Sequence, residues 1–279
     1  MQKLRLKVDQ IDLKILKLLQ QRNKVSSQIG QVKRRHQAAV YVPQREGELR
    51  ARIAKLSRGK LPLEAVDAIF REILSNSRAA QGQAPIGLLQ TGAEAMMLPA
   101  RWHFGACDGF VTKKNWAGLA VGLKKGSLAL VLLTGDDLAE ALQTSGARSQ
   151  FLSQFSIVGD FSPTLESTVP LARRILIVIP RTQGVTYLAD RLIILIECKS
   201  TVDTVKRLVK SMSDQSLHAE ELPVRGRAAQ SATSALVRLT LPRCVDTSRS
   251  TERLIIAGKS AGLQISLLGV YQGTEKYGG

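Results

Sequence analysis

The sequence predicts a multidomain protein: an all-α segment of three helices, then an α/β segment, then a segment of β-α-β-β-α-β order. Three observations predict it. Between Leu4 and Arg35 apolar residues return every three or four positions, the stripe of a helix that packs on other helices. From Ile86 onward short apolar runs alternate with helical stretches, which is an α/β texture. From about Tyr187 the order becomes strand, helix, strand, strand, helix, strand.

The first helix carries Leu4, Val8, Ile11, Ile15, Leu18, Val25, Ile29 and Val32 on its stripe, without proline and with Gly30 as its one glycine. At 1.5 Å per residue it is a rod of roughly 48 Å, too long for a small domain to bury alone. Between Leu18 and Val25 the seam calls for an apolar residue at position 22, and Arg22 stands there. Lys33 follows eleven residues later, within about 20° of the same face at 100° per residue. Cations set into an apolar seam are costly unless an anion meets them.

The charge balance points the same way. The chain holds 40 Lys and Arg against 23 Asp and Glu, a net +17, and residues 1–82 hold 18 and 7 of these, a local +11. That suits an anionic partner. Nucleic acid is disfavoured, because the basic residues are neither blocked nor interleaved with aromatics. Three scattered cysteines (Cys107, Cys198, Cys244) and three histidines without ligand spacing (His36, His103, His218) argue against a disulfide frame and a metal site. No apolar run reaches 18 residues and no signal-like start is present, so a soluble cytoplasmic protein, away from membranes, is expected.

Beyond a linker, Gln37 to Val42, Pro43 suits the first turn of a second helix with Leu49, Ile53 and Leu56 inward, ending near Gly59. Pro62 opens a third helix with Val66, Ile69, Phe70, Ile73 and Leu74 on its stripe, extended by Ser77 and Gln81. Each helix thus sets polar groups on or beside an apolar face: Arg22 and Lys33, Arg45 and Glu46, Ser77 and Gln81. Any one of these reads as a solvated edge residue. Six together form a constellation.

Residues 3–81, through LRLKVDQIDLKILKLLQQRNKVSSQIGQVK, VYVPQREGEL and IFREILSNSRAAQ, resemble the all-helical class of chorismate mutase found fused to prephenate dehydratase. The resemblance implies a three-helix, intertwined homodimer and rearrangement of chorismate to prephenate, with no cofactor and no metal. It also implies roles by position. Arg5, from the partner chain, and Arg22 would take the two substrate carboxylates with help from Ser77. Lys33 and Gln81 would donate to the ether oxygen, Glu46 would receive the ring hydroxyl, and Arg45 would add positive field. The chemistry explains the residue types, since a dicarboxylate calls for arginine forks and developing negative charge calls for fixed donors. One position departs: Val42 stands where some members carry an aspartate near the substrate hydroxyl.

After a polar linker, Ala79 to Pro85, segment 86–105 (IGLLQTGAEAMMLPARWHFG) resembles the opening of a prephenate dehydratase domain, and KKGSLALVLLTGDD and RRILIVIPRTQ resemble later strands of it. Strands are expected at Ile86–Leu89, Leu128–Leu133 and Ile175–Ile179, helices at Trp116–Leu123 and Leu138–Leu142. The motifs have gone. A Gly-Pro-Glu-Gly-Thr turn reads Gln90-Thr91-Gly92-Ala93-Glu94, a Glu-Asn-Ser-Thr segment reads Thr134-Gly135-Asp136-Asp137, and a catalytic Thr-Arg-Phe reads Arg173-Arg174-Ile175. A decayed, non-catalytic domain is expected.

The last segment predicts strands Arg191–Cys198, Leu217–Pro223, Ala235–Leu241 and Gln264–Tyr271, with helices Val202–Met212 and Ser250–Ala261. This ferredoxin-like plan, with its closing LLGVYQ, resembles the amino-acid-sensing ACT domain. Its ligand motifs are weak: Val202-Asp203-Thr204 replaces Gly-Ala-Leu, and Glu221-Leu222-Pro223 replaces Glu-Ser-Arg-Pro. The expected division is 1–83, 84–185 and 186–279. The main reading is a chorismate mutase of aromatic amino-acid biosynthesis with an inactive dehydratase-like half. A bifunctional enzyme, a non-catalytic scaffold and a basic nucleic-acid binder are the alternatives.

Overall fold

In the computed structural model the described residues are 1–57, 59–143, 145–164, 169–181, 191–198, 218–224, 233–240, 255–256, 258–259 and 263–271. They form two compact units, one of residues 1–86 and 97–111, the other of residues 87–96 and 112–279.

The first unit is built on α1 (Gln2–Arg35), α2 (Pro43–Ser57) and α3 (Leu63–Ala80). The prolines punctuate as expected: Pro43 is the first residue of α2 and Pro62 caps α3. α3 stops at Gly82, whose φ of +77 is left-handed, and the Gly82 and Gln83 amides donate back to Ala79 and Arg78 carbonyls. Within α1 the sole buried residues are Ser26 and Gly30. Its apolar stripe, from Leu4 at 63% to Val32 at 53% exposure, faces outward in the single chain. Two expected inward positions are corrected: Leu56 of α2 and Ile69 of α3 are exposed, while Leu49, Ile53, Phe70 and Ile73 are partly buried and Val66 and Leu74 fully so. At 65% and 52% exposure, Leu56 and Ile69 are left largely uncovered by a three-helix set this thin.

The second unit is organised by strands of a nine-stranded mixed sheet. They are β1 (Ile86–Leu89), β2 (Phe110–Lys113), β3 (Leu130–Thr134), β4 (Phe155–Phe161), β5 (Ile175–Pro180), β6 (Arg191–Cys198), β7 (His218–Val224), β8 (Thr233–Thr240) and β9 (Leu263–Tyr271), in the order β2-β1-β3-β5-β4-β9-β6-β8-β7. Helices α4 (Ala93–Phe104), α5 (Trp116–Lys124), α6 (Gly135–Ala141) and α7 (Ser145–Gln154) fall between them in the chain. Strands β3, β5 and β4 pair antiparallel, and β4 meets β9 in parallel at Ile157 and Gly269. The last four strands run β9-β6-β8-β7, each pair antiparallel, an order that suits a β-α-β-β-α-β plan.

Of that plan's helices, Val202–Met212 lies outside the described residues, as does Val202-Asp203-Thr204. Ser250–Ala261 is described at 255–256 and 258–259 alone, where it is helical.

One face of β6 and β8 is apolar at period two: Leu192, Ile194 and Ile196 of β6 pack with Ala235, Val237 and Leu239 of β8 and Leu263 of β9. The other face carries Arg191 and Arg238. There they meet the buried carboxylate of Asp160 on β4: Arg238 Nη1 donates to it at 2.7 Å, Arg191 Nη1 forms an ion pair with it at 3.6 Å, and Arg174 Nε is in contact. An aromatic cluster of Trp116, Phe151 and Phe155, with centroids 5.2 to 5.9 Å apart, fills the core beside α5 and α7.

Candidate functional site

The first unit brings a set of charged and polar side chains to the crossing of α1 and α3. Arg22 Nη1 donates to the Ile73 carbonyl at 3.3 Å and to Ser77 Oγ, while the Ser77 hydroxyl donates to the Ile73 carbonyl at 2.7 Å. Burial lowers the Arg22 pKa from its ordinary value. One turn further along α3, Gln81 Nε2 donates to the Ser77 carbonyl at 3.1 Å. Its Oε1 is buried without a hydrogen-bond partner among the described residues.

This crossing needs a glycine. A Cβ at Gly30 would stand 2.6 Å from both Cα and O of Gln81. Arg34 Nη1 then ties the Gln81 carbonyl at 2.8 Å.

Lys33, on the Arg22 face, donates from Nζ to the Val40 carbonyl at 3.0 Å. Burial lowers its pKa, and the nearby negative charge of Glu46 opposes this. Glu46 sits in the first turn of α2. Arg45 is exposed and lies 3.9 Å from Glu48. Arg5 is exposed near the start of α1, seventeen residues and so about 25 Å along the helix from Arg22. The chain therefore gathers Arg22, Ser77 and Gln81 at one crossing and Lys33 with Glu46 beside it. It leaves Arg45 and Arg5 outside that group.

Two residues belong to the site that the sequence reading passed over. Arg78, 2% exposed, donates from Nη1 to both Glu46 oxygens at 2.7 Å each. It holds Asp108 through Nη2 at 2.8 Å and Nε at 3.2 Å, and its guanidinium lies 5.9 and 5.8 Å from the Tyr41 and Phe104 ring centroids. Burial acts to lower the Arg78 pKa, but the Asp108 hydrogen bonds and the Glu46 charge outweigh it, so the net shift is upward. A signal was available. Arg78 follows Leu74 by four, which puts a cation in the apolar seam of α3 as Arg22 is in that of α1.

Residues 4–82 match the family model of chorismate mutase type II. A chorismate mutase domain thus stands at the N-terminus, as the resemblance implied. Curated relatives agree. Over 79 residues the chain is 38% identical to the bifunctional chorismate mutase/prephenate dehydratase of Aquifex aeolicus (strain VF5), covering 27% of this chain and 22% of that protein. Over 98 residues it is 37% identical to the protein of the same description in Neisseria gonorrhoeae (strain ATCC 700825 / FA 1090), covering 35% and 26%. The chain therefore matches about a quarter of each relative's length.

Among solved structures, one described as "GqqA- a novel type of quorum quenching acylases" superposes with a TM-score of 0.50 at 15% identity, over 68% of this chain and 94% of that one. At such identity the likeness is one of fold. Prephenate dehydratase from Streptococcus mutans gives a TM-score of 0.44 at 11% identity, over 67% and 97%.

Beyond residues 4–82, the residues that the sequence sets against dehydratase and ACT motifs take part in the fold. The Gln90 amide donates to the Lys113 carbonyl at 2.8 Å. Thr134 and Asp137 cap α6 reciprocally, at 3.1 and 2.9 Å. Arg174 is spent on Asp160. Glu221, Leu222 and Pro223 lie within β7. Among the described residues no group of three or more His, Cys, Asp or Glu could hold a metal ion, and no helix is long and apolar enough to cross a membrane.

Proposed function

We propose that the N-terminal unit is a chorismate mutase, converting chorismate to prephenate in aromatic amino-acid biosynthesis, and that it works as a homodimer. The observation that carries this is the Arg22–Ser77 contact across the α1–α3 crossing, with Lys33 eleven residues on and in the field of Glu46, inside a segment that matches the mutase family.

The reaction breaks a carbon–oxygen bond and forms a carbon–carbon bond within one molecule, so no proton need move. The site must hold a dicarboxylate in its compact conformer and stabilise charge on the departing ether oxygen. Arg22, assisted by the Ser77 hydroxyl, binds one carboxylate, and Arg5 of the partner subunit binds the other. Lys33 and the second N–H of the Gln81 amide donate to the ether oxygen. Glu46 accepts the ring hydroxyl, and exposed Arg45 contributes field. The exposed α1 stripe is the surface through which two chains pair.

The segments 84–185 and 186–279 form a non-catalytic dehydratase-like domain and an ACT-type domain in a cytoplasmic protein. The named relatives are bifunctional, which would favour a second activity. Arg173-Arg174-Ile175, without a threonine and with Arg174 held by Asp160, argues for its loss.

Purified full-length protein incubated with chorismate tests the reading. Prephenate should form, and Arg22→Ala or Lys33→Ala should reduce turnover by at least about a hundredfold. Unchanged turnover in both variants would refute the site. Formation of phenylpyruvate from prephenate would refute the loss of the second activity.

A further inference from the structure

The Arg78 guanidinium is held on three sides. Nη1 straddles both oxygens of Glu46 at 2.7 Å, Nη2 and Nε reach Asp108 at 2.8 and 3.2 Å, and Nη2 also meets the Phe104 carbonyl. The Asp108 carboxylate is itself fixed, accepting from Ser75 Oγ at 2.8 Å and from Gln83 Nε2 at 2.8 Å. Its side chain is 1% exposed and that of Arg78 is 3% exposed, against 16% for Glu46. The rigid end of this chain of contacts is therefore Asp108, and the substrate-facing end is Glu46. Asp108 lies beyond the matched segment 4–82, in the loop between α4 and β2.

Glu46 has a competing partner. The ammonium of Lys33 lies within its electrostatic reach, and a free Glu46 carboxylate would be drawn onto it. Such a pair would remove two groups at once, the hydroxyl acceptor and the ether-oxygen donor. Arginine at 78 prevents it by geometry. Its planar fork spends one nitrogen on Glu46 and the others on Asp108, so it cannot turn to follow Glu46 toward Lys33. Lys33 stays on the Val40 carbonyl. With Val42 removing one possible contact to the substrate hydroxyl, the placement of Glu46 matters more.

We propose that Asp108 is a positioning residue for the mutase site, acting through Arg78 to hold Glu46 away from Lys33. This rests on the mutase reading of the N-terminal unit. Asp108 does not touch substrate, so its contribution is transmitted wholly through Glu46.

A double-mutant cycle in the full-length protein tests that transmission. Asp108→Asn keeps an acceptor for Ser75 but removes the charge that anchors Arg78. It should lower kcat/KM for chorismate about tenfold in the native background and less than about twofold in a Glu46→Gln background. Equal losses in the two backgrounds would show that Asp108 supports the fold in general, and would overturn the proposal. Arg78→Lys, which cannot span both carboxylates, should reproduce the Asp108→Asn loss if the latter folds poorly.

A second measurement does not depend on turnover. The Glu46 side-chain carboxyl carbon, observed by NMR, should shift in Asp108→Asn while that of exposed Glu48 stays in place. An unmoved Glu46 signal would overturn the proposal. Absence of turnover in the native protein would instead refute the mutase reading, leaving the Glu46 signal to decide the link.

Discussion

Gly30 of α1 lies so close to Gln81, which caps the C-terminus of α3, that a Cβ on it would stand 2.6 Å from the Gln81 Cα and carbonyl oxygen. Backbone meets backbone there, and no rotamer change can open the space. In a helix interior Gly→Ala is ordinarily favourable by about 1 kcal/mol. Here the sign should reverse. Gly30→Ala is expected to lower stability by about 1–3 kcal/mol in urea unfolding. It should also lower mutase turnover, because the end of α3 that carries Gln81 must move. A variant as stable and active as the native protein would rule out this close crossing.

Lys33 supplies a pH test. Burial sets its folded-state pKa below the ordinary 10.5, against the pull of Glu46. If Lys33 donates to the ether oxygen it must do so as the ammonium, so turnover should fall as pH rises through that lowered value, earlier than for an exposed lysine. Stability moves the other way. The folded state disfavours the charged form, so the cost of burying it is complete below the folded pKa and is relieved as pH climbs toward the unfolded pKa. In pH–rate profiles Lys33→Arg should move the alkaline limb upward. In denaturant titrations the native protein should gain stability relative to Lys33→Gln across the same alkaline window. A native turnover profile that stays level through that window would remove Lys33 from the donor role.

In the second unit, Asp160 is 0% exposed and is met by Arg174, Arg191 and Arg238 from three other parts of the chain. Removing the anion strands buried cations. Asp160→Ala should cost about 3–5 kcal/mol of stability, read as an early unfolding transition by calorimetry. A change below about 1 kcal/mol would place these guanidiniums in solvent rather than in the core.

What the sequence made legible follows from which features are local. Pro43, Pro62 and the three-four spacing set α1, α2 and α3 within two residues. β1 and β6 fall where unbroken apolar runs place them, at Ile86–Leu89 and Arg191–Cys198. α4 escaped notice because Pro99 stands inside it, and an internal proline reads as a helix end. β4 escaped because Gly159 and Asp160 interrupt its apolar run, and the partners that make Asp160 tolerable come from other parts of the chain. Arg78 stood in the α3 seam as a readable cation, but its partner did not show: Asp108 lies thirty residues on, with no spacing to connect them. Leu56 and Ile69 erred in the opposite direction, since periodicity names a face but not whether anything covers it.

The exposed stripe of α1, with Leu18 at 63%, Val25 at 53% and Ile29 at 44% exposure, and the distance of Arg5 from Arg22 lead to the last test. If Arg5 serves the neighbouring subunit, each site takes Arg22 from one chain and Arg5 from the other. Arg5→Ala and Arg22→Ala variants should each be inactive alone. Unfolded together in equal amounts and refolded, half the dimers would be mixed, and each mixed dimer would have one site with both arginines. Turnover should then recover to about a quarter of the native value, as two-fold pairing requires. If Arg5 acted within its own chain, no mixed site could hold both arginines beside one substrate, and the refolded mixture would stay inactive.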